Sequence, residues 1–186
     1  MHYCDYAPSD PLHAPYHDTE HGFPARDETV LFERLILEIN QAGLSWGTAL
    51  RKRETLRAAY AGFDVDSVAA CGDKERARLL ADPGIIRNAR KVDAAIANAR
   101  AVQRLRGDHG GFAAFLDAHH PRPKPDWVKL LRREFTHVGG EIASEFLMSL
   151  GYLPGAHRPD CPVHPRVLAA GPPWRQVPPD VFEPTD

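Results

Sequence analysis

The sequence predicts an all-α protein, a compact helical array, and three observations carry that reading. Apolar residues recur at helical spacing: Leu31, Leu35 and Ala42 share one face with Glu38, and Ala89, Val92, Ile96, Ala99 and Val102 share another. Capping side chains stand at the head of such runs, at Asp27, Ser45, Asp64, Asp73 and Asp126. No stretch alternates convincingly between apolar and polar residues, as a half-buried strand would.

The elements follow in order. Asp27 caps a helix to about residue 41, and Ser45 caps a second to about Tyr60. Asp64 opens a short helix around "DSVAAC", and Asp73 opens another through Leu80. "ADPGII" is a tight turn, and a long helix is expected from about Arg87 to Leu105. Beyond the glycine-rich "GDHGG" comes a short helix over "FAAFLDA". After the proline-broken "HHPRPKP", Asp126 caps a helix to about Phe135, and "GGEIASEFLMSLGY" forms one more. From "LPGAH" onward nine prolines fall in the last 34 residues, so an extended tail wrapped on the body is expected. There is no internal repeat and no low-complexity segment.

Composition narrows the class of function. An apolar content of 43% and a charged content of 26% are ordinary for a soluble domain, and 186 residues can bury a real core. No apolar run approaches the roughly 18 residues a membrane helix needs. "MHYCDYAPSD" lacks the apolar centre of a signal peptide, so the cytoplasm is the expected compartment. Three cysteines are too few for a disulfide scaffold. The net charge of −2 conceals an asymmetry: residues 74–106 hold nine Lys and Arg against three acids. Such a segment suits a polyanion on one side of the molecule, and it equally suits a solvated arginine-rich helix face.

Four constellations could carry chemistry. "RLLADPGIIRNARKVDAAI" describes a helix-hairpin-helix: Gly84 permits close backbone approach, and Arg87, Arg90 and Lys91 sit where a DNA phosphate would lie. A Pro-Gly turn also serves any tight interhelical connection. Cys4, His17, His157 and Cys161 are thiolates and imidazoles suited to tetrahedral zinc, with His157 and Cys161 at good spacing. His13, His21 and His164 are rival ligands, and unpaired surface residues are the other reading. Glu38, with Tyr16 and Trp46, would make a pocket for a flat ligand bearing amine donors, although a glutamate paired with an arginine explains the same spacing. Finally, "QAGL" is a small tip on which Gly43 turns the chain and Leu44 could wedge between bases.

Together, "DPLHAPYHDTEHGFP", "LEINQAGLSWGTALRKRE", "DPGIIRNARKVDAAIANARA" and the paired Cys/His ends resemble the DNA-3-methyladenine glycosylase I family of bacteria, from residue 1 to about 162. The resemblance implies a helix-hairpin-helix domain over residues 1–162, with the hairpin at about 74–105 and a proline-rich tail at 163–186. It implies a structural zinc on Cys4, His17, His157 and Cys161, clipping the terminal segment. It also implies that Glu38, Tyr16 and Trp46 line a base pocket, in which Glu38 accepts hydrogen bonds from flipped 3-methyladenine. The expected enzyme is monofunctional, without a lyase step, and acts as a monomer on damaged double-stranded DNA at the nucleoid. The family's pocket is more aromatic. Tyr6 and His21 stand where tryptophans are usual, and His13 where tyrosine is common. Glu141 and Glu145 replace more neutral side chains, and either would attract a cation if it faced the pocket. A non-catalytic or altered-specificity lesion binder is the alternative, and a metal-dependent hydrolase a more distant one.

Overall fold

A computed structural model describes residues 2–182, and among these it contains eleven α-helices and no strand. They are α1 (Tyr3–Tyr6), α2 (Ala14–Thr19), α3 (Glu28–Gln41), α4 (Trp46–Ala59), α5 (Val65–Ala69), α6 (Asp73–Ala81), α7 (Ala89–His109), α8 (Phe112–His119), α9 (Lys124–Glu134), α10 (Gly140–Ser149) and α11 (His164–Ala169). No helix is long and apolar enough to cross a membrane.

Local chemistry sets most of the boundaries. Asp27 accepts the Val30 amide at 3.1 Å, Ser45 the Thr48 amide at 3.2 Å, and Asp64 the Ser67 amide at 2.8 Å. Each satisfies an N–H that has no partner within its helix. Three expectations change. Asn88 caps α7, which starts at Ala89 and runs past Gly107 to His109, stopping where Gly110 turns left-handed at φ 85°. Gly72 precedes α6 and Pro123 precedes α9, so Asp73 and Asp126 lie in the first turns rather than at the caps. The tail is not simply extended, because α11 and two short 3-10 turns fold back onto the body. Residues 183–186 of that tail lie outside the described residues.

α3 is the axle. Every residue from Leu31 to Asn40 is buried, and α4, α7, α8 and α10 pack around it. Phe32, Phe112, Phe115, Trp127 and Phe146 fill the core with large apolar surface, the main favourable term in the fold. The N-terminal helices α1 and α2 dock against the segment that carries His157. Gly22, at φ 82°, makes that approach possible: a Cβ there would sit 2.7 Å from the Cβ of Ala156.

Candidate functional site

Burying so much of α3 also buries three charges, Glu33, Arg34 and Glu38, each at most 4% exposed. Two are neutralised. Glu33 receives Arg53 at 2.7 Å and Arg57 at 2.8 Å. Arg34 donates to Glu20 and to the Ser149 carbonyl, and its guanidinium lies over the Tyr16 ring. Glu38 has neither an ion pair nor a hydrogen bond among the described residues. Burial pushes its carboxyl well above the usual carboxylate range, and the nearby charge of Glu145 adds to that shift. An uncompensated buried carboxyl is costly unless something else supplies the missing donors.

Glu38 opens into a cavity of about 410 Å³. Its walls are rings: Tyr16 and Trp46 lie with centroids 4.9 Å apart, Tyr16 and His21 5.6 Å apart, and Tyr3 and Tyr6 5.4 Å apart. Three buried polar atoms on these walls lack partners, namely Tyr16 Oη, His21 Nδ1 and Trp46 Nε1. Burial lowers the His21 imidazole well below its ordinary range, so the ring enters the wall neutral. The cavity therefore combines flat apolar faces with unmet hydrogen-bonding capacity and a carboxyl. That is the outline of a site for a planar, donor-bearing ligand.

The structure brings Glu38, Tyr16, Trp46, Tyr6 and His21 together around this cavity, as the sequence suggested. His13 does not line it. It is buried behind Tyr3, whose hydroxyl meets its Nδ1 at 3.2 Å, and it packs on the helical backbone at Gly47. Tyr3 takes the position on the wall instead. Sequence reading missed Tyr3, Gln41 and Met148, which also face the cavity. Glu145 reaches it from α10, whereas Glu141 is exposed at the rim.

Behind the wall, Cys4, His17, His157 and Cys161 converge with their ligand atoms within 4.8 Å of one another, a group that could hold a metal ion. The Cys161 Sγ lies 3.5 Å from His157 Nδ1 and 3.7 Å from His17 Nε2, and the Cys4 Sγ lies 3.6 Å from His157 Nδ1. The remaining ring nitrogens are also engaged. His17 Nδ1 meets Asp18 at 2.6 Å, and His157 Nε2 meets the His21 carbonyl at 2.8 Å. Such contacts orient imidazoles that bind metals. The rivals His13, His21 and His164 are outside the group. Three of the ligands also neighbour pocket rings: Cys4 lies between Tyr3 and Tyr6, His17 follows Tyr16, and His157 meets the His21 carbonyl. Whatever fixes the four ligands fixes the wall.

The rim is where a large partner would meet the protein. Gly43, at φ 75° with open space around it, turns the chain so that Leu44 stands 49% exposed. Across a groove from Leu44 lie Gly139, Gly140 and Glu141 at the start of α10, and Glu38 and Glu145 line both groove and cavity. The turn between α9 and α10 is held by Asn98, which accepts the Thr136 amide at 2.7 Å and donates to the Thr136 carbonyl. The exposed side chains of Arg132, Arg133 and His137 surround that turn.

The α6–α7 turn singled out in the sequence behaves differently. Arg87 and Arg90 are exposed and unpaired among the described residues. The Gly84 amide, however, is already taken by Asp82 at 2.7 Å, so it is not free for a phosphate. Lys91 is buried. Its ammonium donates to the Asn40 and Ala42 carbonyls at 2.7 Å each, capping the C-terminus of α3. A cation spent on those carbonyls does not reach DNA, and its effect is to tie α7 to the base of the Leu44 tip.

Several known proteins are similar to this chain. A family model described as methyladenine glycosylase matches residues 6–129. DNA-3-methyladenine glycosylase 1 of Escherichia coli K12 is 44% identical over 116 residues, 62% of this chain and 62% of its own length. The DNA-3-methyladenine glycosylase of Haemophilus influenzae is 30% identical over 178 residues, 86% of this chain and 96% of its own. Among solved structures, a crystal structure of 3-methyladenine DNA glycosylase I superposes with a TM-score of 0.77 at 35% identity, covering 85% of this chain and 97% of the other. A Staphylococcus aureus enzyme, solved to define 3-methyladenine recognition, gives 0.78 at 28% identity, covering 86% and 95%.

Proposed function

Since the chain belongs to the methyladenine glycosylase family, we propose that it is a monofunctional DNA glycosylase that hydrolyses the N-glycosidic bond of 3-methyladenine flipped out of damaged duplex DNA. The observation that carries this is Glu38, a buried carboxyl with no partner, set on the floor of a ring-walled cavity beside three unsatisfied polar atoms. Detection of free 3-methyladenine released from methylated duplex DNA tests it.

The chemistry asks little of the protein beyond selective binding. A purine methylated at N3 is cationic as a nucleotide, so its C1′–N9 bond is weak. On cleavage the bonding pair goes to N9, the base leaves neutral, and water adds to C1′ and loses a proton to solvent. Tyr16, Trp46 and Tyr3 would stack the base, an effect worth about 1–3 kcal/mol per base. Glu38 would accept a hydrogen bond from its exocyclic amine, and its charge would answer the positive charge that passes from the base to the sugar as the bond breaks.

Zinc fits the four-ligand group. With tetrahedral angles and typical bond lengths, sulfur and nitrogen ligands on one zinc lie about 3.6 Å apart, close to the 3.5–3.7 Å of three of the four sulfur–nitrogen pairs. Two thiolates and two imidazoles fill a tetrahedron, so the ion would supply cross-linking rather than a reactive water. Cys4, His17, His157 and Cys161 would hold α1, α2 and the segment after α10 in one piece.

For DNA, Leu44 would enter the stack vacated by the base. The α9–α10 turn, with its exposed arginines, and Arg87 and Arg90 would contact the backbone on either side. A monomer acting at the nucleoid suffices for this. Replacing both Arg87 and Arg90 by Ala is expected to weaken binding equally on any sequence and to lower the log–log salt slope by roughly 1 per arginine. Lys91→Ala is expected to leave that slope alone. It should instead lower stability by about 2–3 kcal/mol, through the stranded carbonyls of Asn40 and Ala42. An unchanged slope in the arginine variant would remove the α6–α7 turn from the interface.

A further inference from the structure

We infer that Glu145 is a specificity-determining residue of the base pocket: with Glu38 it forms a two-carboxylate floor that selects a base carrying a positive charge over its neutral counterpart. The inference rests on reading the cavity as a base pocket. Its grounds are geometric. Glu38 comes from α3 and Glu145 from α10, and the two side chains line the same cavity and the groove that leads into it. Neither carboxyl has a hydrogen bond or ion pair among the described residues. Arg34, whose charge opposes the shift at Glu38, gives its Nη atoms to Glu20 and to two backbone carbonyls and sits against the Tyr16 ring, leaving its Nε without a partner. The Lys124 charge reaches Glu145 from α9 but comes from an exposed side chain, and Glu141 beside it is another carboxylate.

A half-open cavity whose lining carries two carboxyls and no Lys or Arg among the described residues is electrostatically incomplete, with only Arg34 and Lys124 acting on the pair from outside it. Burial raises both carboxyls above their usual range, and the Glu145 charge contributes to the shift at Glu38. A flipped base with a delocalised positive charge completes the site. It offers an amine donor to one carboxylate and charge to both. A neutral adenine offers the same rings and the same amine. It leaves the second carboxylate unpaired, or forces a proton onto it. Discrimination thus falls on charge, the property that separates an N-alkylated purine from the undamaged bases around it.

The test uses the full, zinc-loaded protein and two free ligands, the fixed cation 3,9-dimethyladeninium and neutral 9-methyladenine, titrated by calorimetry into wild type and Glu145→Gln. Comparing the ratio of affinities between proteins cancels the contribution of the extra methyl group. Wild type is expected to favour the cation, and Glu145→Gln to lose roughly ten- to a hundredfold of that preference with little change toward the neutral base. Glu145→Ala supplies the same reading if the glutamine variant folds poorly. An equal preference in wild type and variant would overturn the inference. The outcome is separable from excision. Base release with no Glu145-dependent charge preference keeps the glycosylase and removes this role. A Glu145-dependent preference without base release keeps this role and removes the glycosylase.

Discussion

Glu38→Gln is expected to lower the rate of base release by roughly a hundred- to a thousandfold, the scale seen when one group that stabilises developing charge is removed, while affinity for duplex DNA stays within a few-fold. The amide keeps the volume of the side chain, so the ring walls should stay in place, and it removes the charge that answers the cationic base. The same substitution should raise thermal stability at neutral pH. The Glu38 carboxyl is held well above its ordinary range by burial first and by Glu145 second, with Arg34 opposing. A carboxyl raised in the folded state is more protonated there than in the unfolded chain, so its effect on stability worsens as pH rises through the folded value. At neutral pH the native glutamate is therefore a burden on the fold, which glutamine removes. Activity runs the other way: excision by the native protein should fall as pH drops through the raised Glu38 value, because protonation discharges the pocket. The charged groups bearing on it are Glu145 and Arg34, with Glu141 and Lys124 farther out on α10 and α9. A glutamine variant that turns over normally, or that melts below the native protein, would remove Glu38 from the mechanism.

The second large effect is expected at the clip. Stripping zinc with a strong chelator, or replacing Cys161 with Ser, should destabilise the protein and empty the pocket of its shape together. If free zinc stands about a thousandfold above its dissociation constant, it contributes about 4 kcal/mol, or roughly 8–16 °C in Tm for a chain of this size. The coupling to function follows from chain order. Tyr3 and Tyr6 flank Cys4, Tyr16 precedes His17, and the His21 carbonyl is bonded to His157. Releasing the ligands releases four of the rings that face Glu38. Base release and Tm should fall in parallel on chelation and return in parallel when zinc is restored. Metal content measured on the purified protein should approach one zinc per chain. A chelated protein that keeps both its Tm and its activity would contradict the assignment.

What could be read from the sequence was whatever depends on near neighbours. The capping roles of Asp27, Ser45 and Asp64 are set within three residues, and the structure has each of them bonded as expected. The inward charge of Glu38 was legible because helical spacing alone places it on a buried face. What was lost depends on distant packing. Lys91 reads as one of three basic residues at a helix start, and nothing local says that the carbonyl end of α3 lies over it. His13 and Tyr3 exchange roles because α1 and α2 are too short to carry a period. The α9–α10 turn gave no cap signal, since Gly139 at that helix start has no side chain with which to cap. Two misses had a signal that was outweighed. Pro165 in the first turn of α11 marks a helix start, but the density of prolines around it reads as extended chain. Gly107 reads as the end of α7, although the left-handed stop is Gly110.

The central claim is that this cavity receives and releases a methylated adenine. The most direct measurement is chromatographic identification of the free bases that purified protein liberates from duplex DNA treated with a methylating agent, with the Glu38→Gln variant run beside it. The account predicts a peak of 3-methyladenine that grows with time in the native protein and is nearly absent in the variant. A native protein that binds the same DNA and liberates no methylated base would contradict it, and would leave a lesion-binding protein with a glycosylase fold.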